Sequence, residues 1–126
     1  MREIVLDTET TGLNYKAGDR VIEVGCVELI NHVSTGNNLQ FYCSTNKIID
    51  EGATKIHGLT NSFLNERPPF KEHAKKFLEF IANDPLVIHN AEFDVGFINN
   101  ELMLLGIDPL KNKVIDTVSL ARKTLN

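Results

Sequence analysis

The hydrophobic period changes part-way along this chain, and that change limits the folds open to it. In the first third, apolar residues fall in short β-branched or alternating runs. Glu3 to Thr8 (EIVLDT) predicts a strand, and Val21 to Ile30 (VIEVGCVELI) predicts a second. Leu39 to Cys43 (LQFYC) predicts a short third strand, with Asn31 to Asn38 as a hairpin-like connection of Ser, Gly and Asn. Thr11-Gly12-Leu13-Asn14 breaks the first strand, and a loop runs on to about Arg20. Residues 46–65 read as loop with room for one short helix. From Pro68-Pro69 the period becomes helical. Phe70, Ala74, Phe77, Leu78 and Ile81 share one helix face, and Asn83-Asp84-Pro85 ends it. Leu86 to Ile88 is a short buried strand. Ala91 to Leu105 is a second helix with Val95, Ile98, Leu102 and Leu105 on one stripe. Lys113 to Ile115 is another strand, and Thr117 opens a third helix with Val118, Ala121 and Leu125 in line.

Three early strands on short connections, followed by helices alternating with strands, predict an α/β domain with a mixed sheet. The first three strands should be antiparallel, and the later ones, reached through helical crossovers, parallel to the first. That order suits a ribonuclease H-like fold with flanking helices. A fold of this kind hosts many chemistries, so function has to come from particular residues. Length supports one domain, and 42% hydrophobic residues suffice for one core. The formal net charge is −4, so no basic footprint advertises nucleic acid, although bound cations can reverse the sign locally. Cys26 and Cys43 form no CxxC motif and read as reduced strand residues of a cytoplasmic protein. No signal peptide and no span of membrane-crossing length is expected.

The chemistry begins at Asp7-Thr8-Glu9. Strand side chains alternate, so Asp7 and Glu9 leave the strand on one side, about 7 Å apart along the backbone. Carboxylates this close repel, and a hard divalent cation with oxygen ligands relieves the repulsion. A solvated polar turn would carry the same pair. The continuation Thr10-Thr11-Gly12-Leu13 adds a glycine able to bring backbone near a ligand and an apolar contact beside it. The second constellation is His89-Asn90-Ala91-Glu92-Phe93-Asp94, at the passage from strand to helix. Asn90 is the N-cap candidate. Asp94 shares a helix face with Ala91 and Ile98, so it is expected to point at the sheet, where a carboxylate needs a partner.

Together these segments resemble the DnaQ-like, or DEDD, family of 3′→5′ exonucleases. DTETTGL at Asp7 to Leu13 is similar to its first motif. HNAEFDVGFIN at His89 to Asn99 is similar to its second, in the form used by epsilon-type proofreaders. Ile56-His57-Gly58-Leu59 resembles the His-Gly turn between them, and Val114-Ile115-Asp116-Thr117 the strand end that follows. The resemblance implies that Asp7, Glu9 and Asp94 are three of four carboxylates holding two divalent ions, Mg²⁺ or Mn²⁺, on either side of the scissile phosphate. It implies that Thr10, Gly12 and Leu13 cradle the terminal nucleotide. His57 matches a position near its base or sugar, though a hydrogen-bonded turn histidine would look the same. Phe93 matches an apolar contact to the last nucleotides and would equally suit a core aromatic. Asn90 and Asp116 match supporting positions. His73, among Lys and Glu, reads as surface, and His32 carries no signal.

The family also uses a third motif, H-x-x-x-x-D, which supplies a general base and the fourth carboxylate. The sequence ends at Asn126 with no such segment beyond Asp116, so residues 1–126 are expected to be a C-terminally shortened exonuclease domain. The substrate implied is a single-stranded DNA 3′ end. The partner implied is an alpha-like catalytic subunit of DNA polymerase III, with no membrane involved. An RNA-trimming relative, and an inert nucleic-acid-binding module without the last motif, stay open as alternatives.

Overall fold

The computed structural model describes residues 1–49 and 51–119. Among them a five-stranded sheet runs in the order β3-β2-β1-β4-β5. The strands are β1 (Arg2–Thr10), β2 (Val21–Ile30), β3 (Val33–Tyr42), β4 (Leu86–Ile88) and β5 (Val114–Asp116). β1, β2 and β3 pair antiparallel, while β4 joins β1, and β5 joins β4, in parallel. The mixed topology is the one expected. The helices are α1 (Glu51–His57), α2 (Asn61–Asn65), α3 (Phe70–Ile81) and α4 (Ala91–Leu104). A further helix opens at 117 and is described only to 119, so the expected stripe through Ala121 and Leu125 lies outside the described residues. Among the described residues no helix is long and apolar enough to cross a membrane.

β3 is twice the expected length. The segment 33–38 is strand, not connection, and the turn is Asn31-His32 alone, both at positive φ (50° and 69°). That geometry matches the twist of a two-residue hairpin. The polar residues beyond it extend an exposed edge strand, which hides its strand character from a reading based on hydrophobic alternation. Residues 46–65 likewise hold two short helices rather than one.

The main core joins Ile4 and Leu6 of β1 and Val24 and Cys26 of β2 to Phe70, Ala74, Phe77 and Ile81 of α3. Phe97, Ile98 and Leu102 of α4 belong to the same cluster. On α3 the expected face is the buried one, with Leu78 at its margin. On α4 the buried face is rotated from the expected stripe. It consists of Ala91, Asp94, Phe97, Ile98, Glu101 and Leu102, while Val95 and Leu105 are only half-buried. Glu101 can lie inside because Arg20 meets it with two hydrogen bonds, 2.8 and 2.7 Å, and the Val21 N–H donates a third at 3.1 Å. This pair ties α4 to the start of β2.

A bulge sits between Glu9↔Glu23 and Thr10↔Val21, with Ile22 as the extra residue. One inserted residue exchanges the faces of a strand. Val21 therefore joins Val24 and Cys26 in the main core, whereas Ile22 enters a second cluster with Ile49 and Leu64. The second cluster anchors the segment carrying α1 and α2 beside the end of β1. His73 is not a surface residue: its ring stacks on Phe41 at 4.3 Å and its Nε2 is buried. Cys26 and Cys43 are free and buried, as expected of reduced residues.

Candidate active site

The C-terminal ends of the three parallel strands gather the predicted residues. In an open α/β sheet this edge is where ligands bind, at the point where neighbouring connections diverge. β1 delivers Asp7 and Glu9, β4 leads into His89 and Asn90, and β5 ends on Asp116. Asp7 is exposed, and Glu9 is half-buried.

Asp94 lies in the first turn of α4 and is turned inward, 5% exposed. The Thr8 hydroxyl, from the residue between Asp7 and Glu9, donates to Asp94 Oδ1. Burial pushes the Asp94 pKa up to about 6. The Thr8 bond works the other way, and the charges of Asp7 and Glu9 raise it further. Glu9 is raised by burial first and by Asp7 second, with His57 opposing. The three carboxylates therefore feel one another, which is the electrostatic condition that a divalent cation satisfies. Their oxygen chemistry fits Mg²⁺ or Mn²⁺ better than a soft metal. As placed, they are not a closed cage: among the described residues no three His, Cys, Asp or Glu side chains stand together as a metal-holding group. Asp94 is held by Thr8, which by strand alternation leaves β1 on the face opposite Asp7 and Glu9.

Asp116 sets the position of α4. Its carboxylate accepts from the N–H groups of Asn90 (3.2 Å) and Ala91 (3.1 Å), donors that a helix start leaves without intrahelical partners. Val118 N–H adds a third bond at 2.9 Å. Burial disfavours the Asp116 charge, and the backbone donors of Val118, Ala91, Asn90 and Ser119 outweigh it, holding the pKa below the ordinary range. Asn90 occupies the N-cap position in the left-handed region (φ 59°), but its side chain makes no cap bond, contrary to the sequence expectation. The capping oxygen comes from β5 instead. His89 is fastened beside it, Nδ1 to Thr117 Oγ1 at 2.9 Å.

Beside the carboxylates lies a cavity of about 390 Å³. Thr10, Gly12, Leu13, His57 and Phe93, the five residues expected to contact a nucleotide, all line it together with Glu9. His57 is a hydrogen-bonded turn histidine that also lines the cavity. Its Nδ1 accepts the Leu59 N–H at 3.0 Å, so the neutral ring carries its proton on Nε2. That Nε2 is buried and has no partner among the described residues. Phe93 similarly packs on Phe97 at 4.8 Å and lines the cavity as well. Leu13 of the β1–β2 loop and Ile56 of α1 both line it, each 85% exposed. At Gly12 the φ is not positive, and an added Cβ would stand 2.5 Å from the Asp19 carboxylate, which would have to move aside.

Comparison with known proteins now adds one decisive match: the family model described as Exonuclease covers residues 4–126. The chain belongs to that exonuclease family. It is 49% identical over 97% of its length to the DNA polymerase III subunit epsilon of Buchnera aphidicola subsp. Baizongia pistaciae. It is 44% identical over the same share to that of Escherichia coli K12. The chain spans about half of those relatives, 53% and 54% of their lengths. A solved structure of E. coli exonuclease I in complex with a dT13 oligonucleotide superimposes with a TM-score of 0.85. It covers 97% of this chain and 29% of that one at 19% identity, a likeness of fold alone. Among the described residues, sequence reading missed Thr8 as the partner of Asp94 and α1 as a wall of the cavity. The threonine stood inside the motif, between two acids that drew attention from it. The helix is seven residues long, too short for a periodic signal.

Proposed function

We propose that residues 1–126 form a 3′→5′ exonuclease domain that removes nucleotides from a single-stranded DNA 3′ end. The proposed role is that of the proofreading, epsilon-type subunit of DNA polymerase III. The observation that carries the reading is the convergence of five separately predicted contact residues on one cavity beside Asp7, Glu9 and Asp94. Family membership and the epsilon-named relatives support it. The RNA-trimming alternative and the inert-module alternative lack a comparable observation in their favour. By the same resemblance the domain works in the cytoplasm, tethered to an alpha-like polymerase subunit. No H-x-x-x-x-D segment follows Asp116 within these residues.

In this reading Asp7, Glu9 and Asp94 would hold Mg²⁺ or Mn²⁺. Such ions polarise a phosphate and activate water. The chain's own residues do the rest. Leu13, Ile56 and Phe93, which line the cavity, supply the apolar contact to a terminal base. Contacts of this kind tolerate any base and are worth about 1–3 kcal/mol each. His57 lines the same cavity from the end of α1. Asp116, by fixing the N-terminus of α4, fixes where Asp94 stands. A cavity of about 390 Å³ suits one splayed nucleotide and not a paired end.

The test compares linear and circular single-stranded DNA of equal sequence, using the chain extended through a segment carrying H-x-x-x-x-D. Linear DNA should shorten from its 3′ end in the presence of Mn²⁺, and circular DNA should persist. Equal cutting of both would refute the exonuclease assignment.

A further inference from the structure

The loop between β1 and β2, whose regular structure is one 3-10 turn at Tyr15–Ala17, is tightly built. Its neck is closed reciprocally: Thr11 N–H donates to Arg20 O at 2.9 Å, and Arg20 N–H donates to Thr11 Oγ1 at 3.0 Å. Inside the neck, Asp19 turns its carboxylate inward, 14% exposed. Thr11 Oγ1 donates to Asp19 Oδ1 at 2.9 Å, and the Asn14 N–H donates to Oδ2 at 3.1 Å. The same carboxylate lies flat against Gly12, filling the space a Cβ would take. Outside the neck, Tyr15 packs edge-on to Phe97 at 5.5 Å and leaves no slack over Gly96, where an added Cβ would meet its ring at 3.0 Å. The loop is thus fixed to α4, the helix that carries Phe93 and Asp94. What this frame holds up is Gly12 and Leu13, one wall of the cavity.

We propose that Asp19 is a positioning residue, whose carboxylate sets the Gly12–Leu13 wall and so controls affinity for the nucleotide without taking part in metal binding. The proposal rests on the nucleotide-site reading above. Asp19 bonds to residues on both sides of Gly12, so its loss frees the wall at two points at once. It does not touch Asp7, Glu9 or Asp94. Its remaining contact, Lys47 Nζ at 3.8 Å, is partly exposed and contributes little.

The experiment is a calorimetric titration of the 126-residue chain with deoxythymidine 5′-monophosphate at saturating Mg²⁺, beside a separate Mn²⁺ titration. Asp19→Ala loses two hydrogen bonds and should raise the nucleotide Kd about tenfold, while the Mn²⁺ Kd stays within about twofold. Asp19→Asn keeps one acceptor and should raise it about threefold. Gly12→Ala forces Asp19 aside and should resemble Asp19→Ala. The double variant should be no worse than the poorer single, because the clash and the carboxylate disappear together. An unchanged nucleotide Kd in Asp19→Ala overturns the proposal, and so does an equal loss of Mn²⁺ affinity. Should Asp19→Ala not fold, Asp19→Asn carries the same test with the same two outcomes. A wild-type chain that binds no nucleotide overturns the site reading itself, and the positioning role with it.

Discussion

Asp94→Asn removes a negative charge from a side chain that is 5% exposed, and leaves both its size and its acceptor for the Thr8 hydroxyl in place. The native carboxyl has a pKa of about 6 against an ordinary 3.8. Its protonated form is therefore favoured by folding. The stabilisation is fully present below about pH 3.8 and is lost as the pH rises through about 6. At about 1.4 kcal/mol per unit, ionising Asp94 at neutral pH opposes folding by up to about 3 kcal/mol. Solvent at the cavity edge screens part of that, so about 1–2 kcal/mol is the expected net penalty. Urea unfolding without metal should then show Asp94→Asn more stable than the wild type by that amount at about pH 7.5, with the difference vanishing near pH 4. Added Mn²⁺ should reverse the order, since a ligand stabilises only the protein that binds it. The reasoning fails if Asp94→Asn is the less stable protein at pH 7.5 without metal, or if the difference does not depend on pH.

Asp7→Asn should weaken Mn²⁺ binding more than Asp116→Asn, because Asp116 spends its oxygens on backbone N–H groups; equal effects in a titration would count against the ligand set. Glu101→Gln should destabilise by about 1–3 kcal/mol, since it removes the charge and one of the two acceptors that meet the partly exposed Arg20, and chemical denaturation measures it. Phe97→Ala, emptying a fully buried position, should cost about 3–5 kcal/mol in the same assay. Cys26 and Cys43, whose pKa values burial pushes up to about 12, should react with a thiol reagent only on unfolding; fast reaction in the native state would contradict their burial.

The parts of the fold that were legible were those where burial imposes a period. β2 and β4 keep the boundaries read from the sequence, and the face of α3 is the one its apolar spacing marks. The errors lie where something other than hydrophobicity decides. Val33 and Ser34 pair with Ile30 and Leu29 because the Asn31-His32 turn sets their register, and the strand runs on through an irregularity to Asn38 although its side chains face water. The stripe on α4 rotated because Arg20, far away in sequence, makes it possible to bury Glu101. The cap of α4 escaped for the same reason: Asp116 sits 26 residues from the N–H of Asn90. At the site, the carboxylates and the cavity residues were legible because their motifs are local. The cross-chain relations, Thr8 with Asp94 and Asp19 with Gly12, exist only after folding.

The central claim is that this domain trims DNA from a 3′ end through Asp7, Glu9 and Asp94. Its most direct test follows a 5′-labelled single-stranded oligonucleotide with Mn²⁺ and the chain extended through an H-x-x-x-x-D segment, set beside the same protein carrying Asp7→Ala. The account predicts a ladder shortening one nucleotide at a time from the 3′ end, faster for a mismatched terminus than for a paired one, and absent with Asp7→Ala. Products that begin as internal fragments, or a ladder that survives Asp7→Ala, would contradict it.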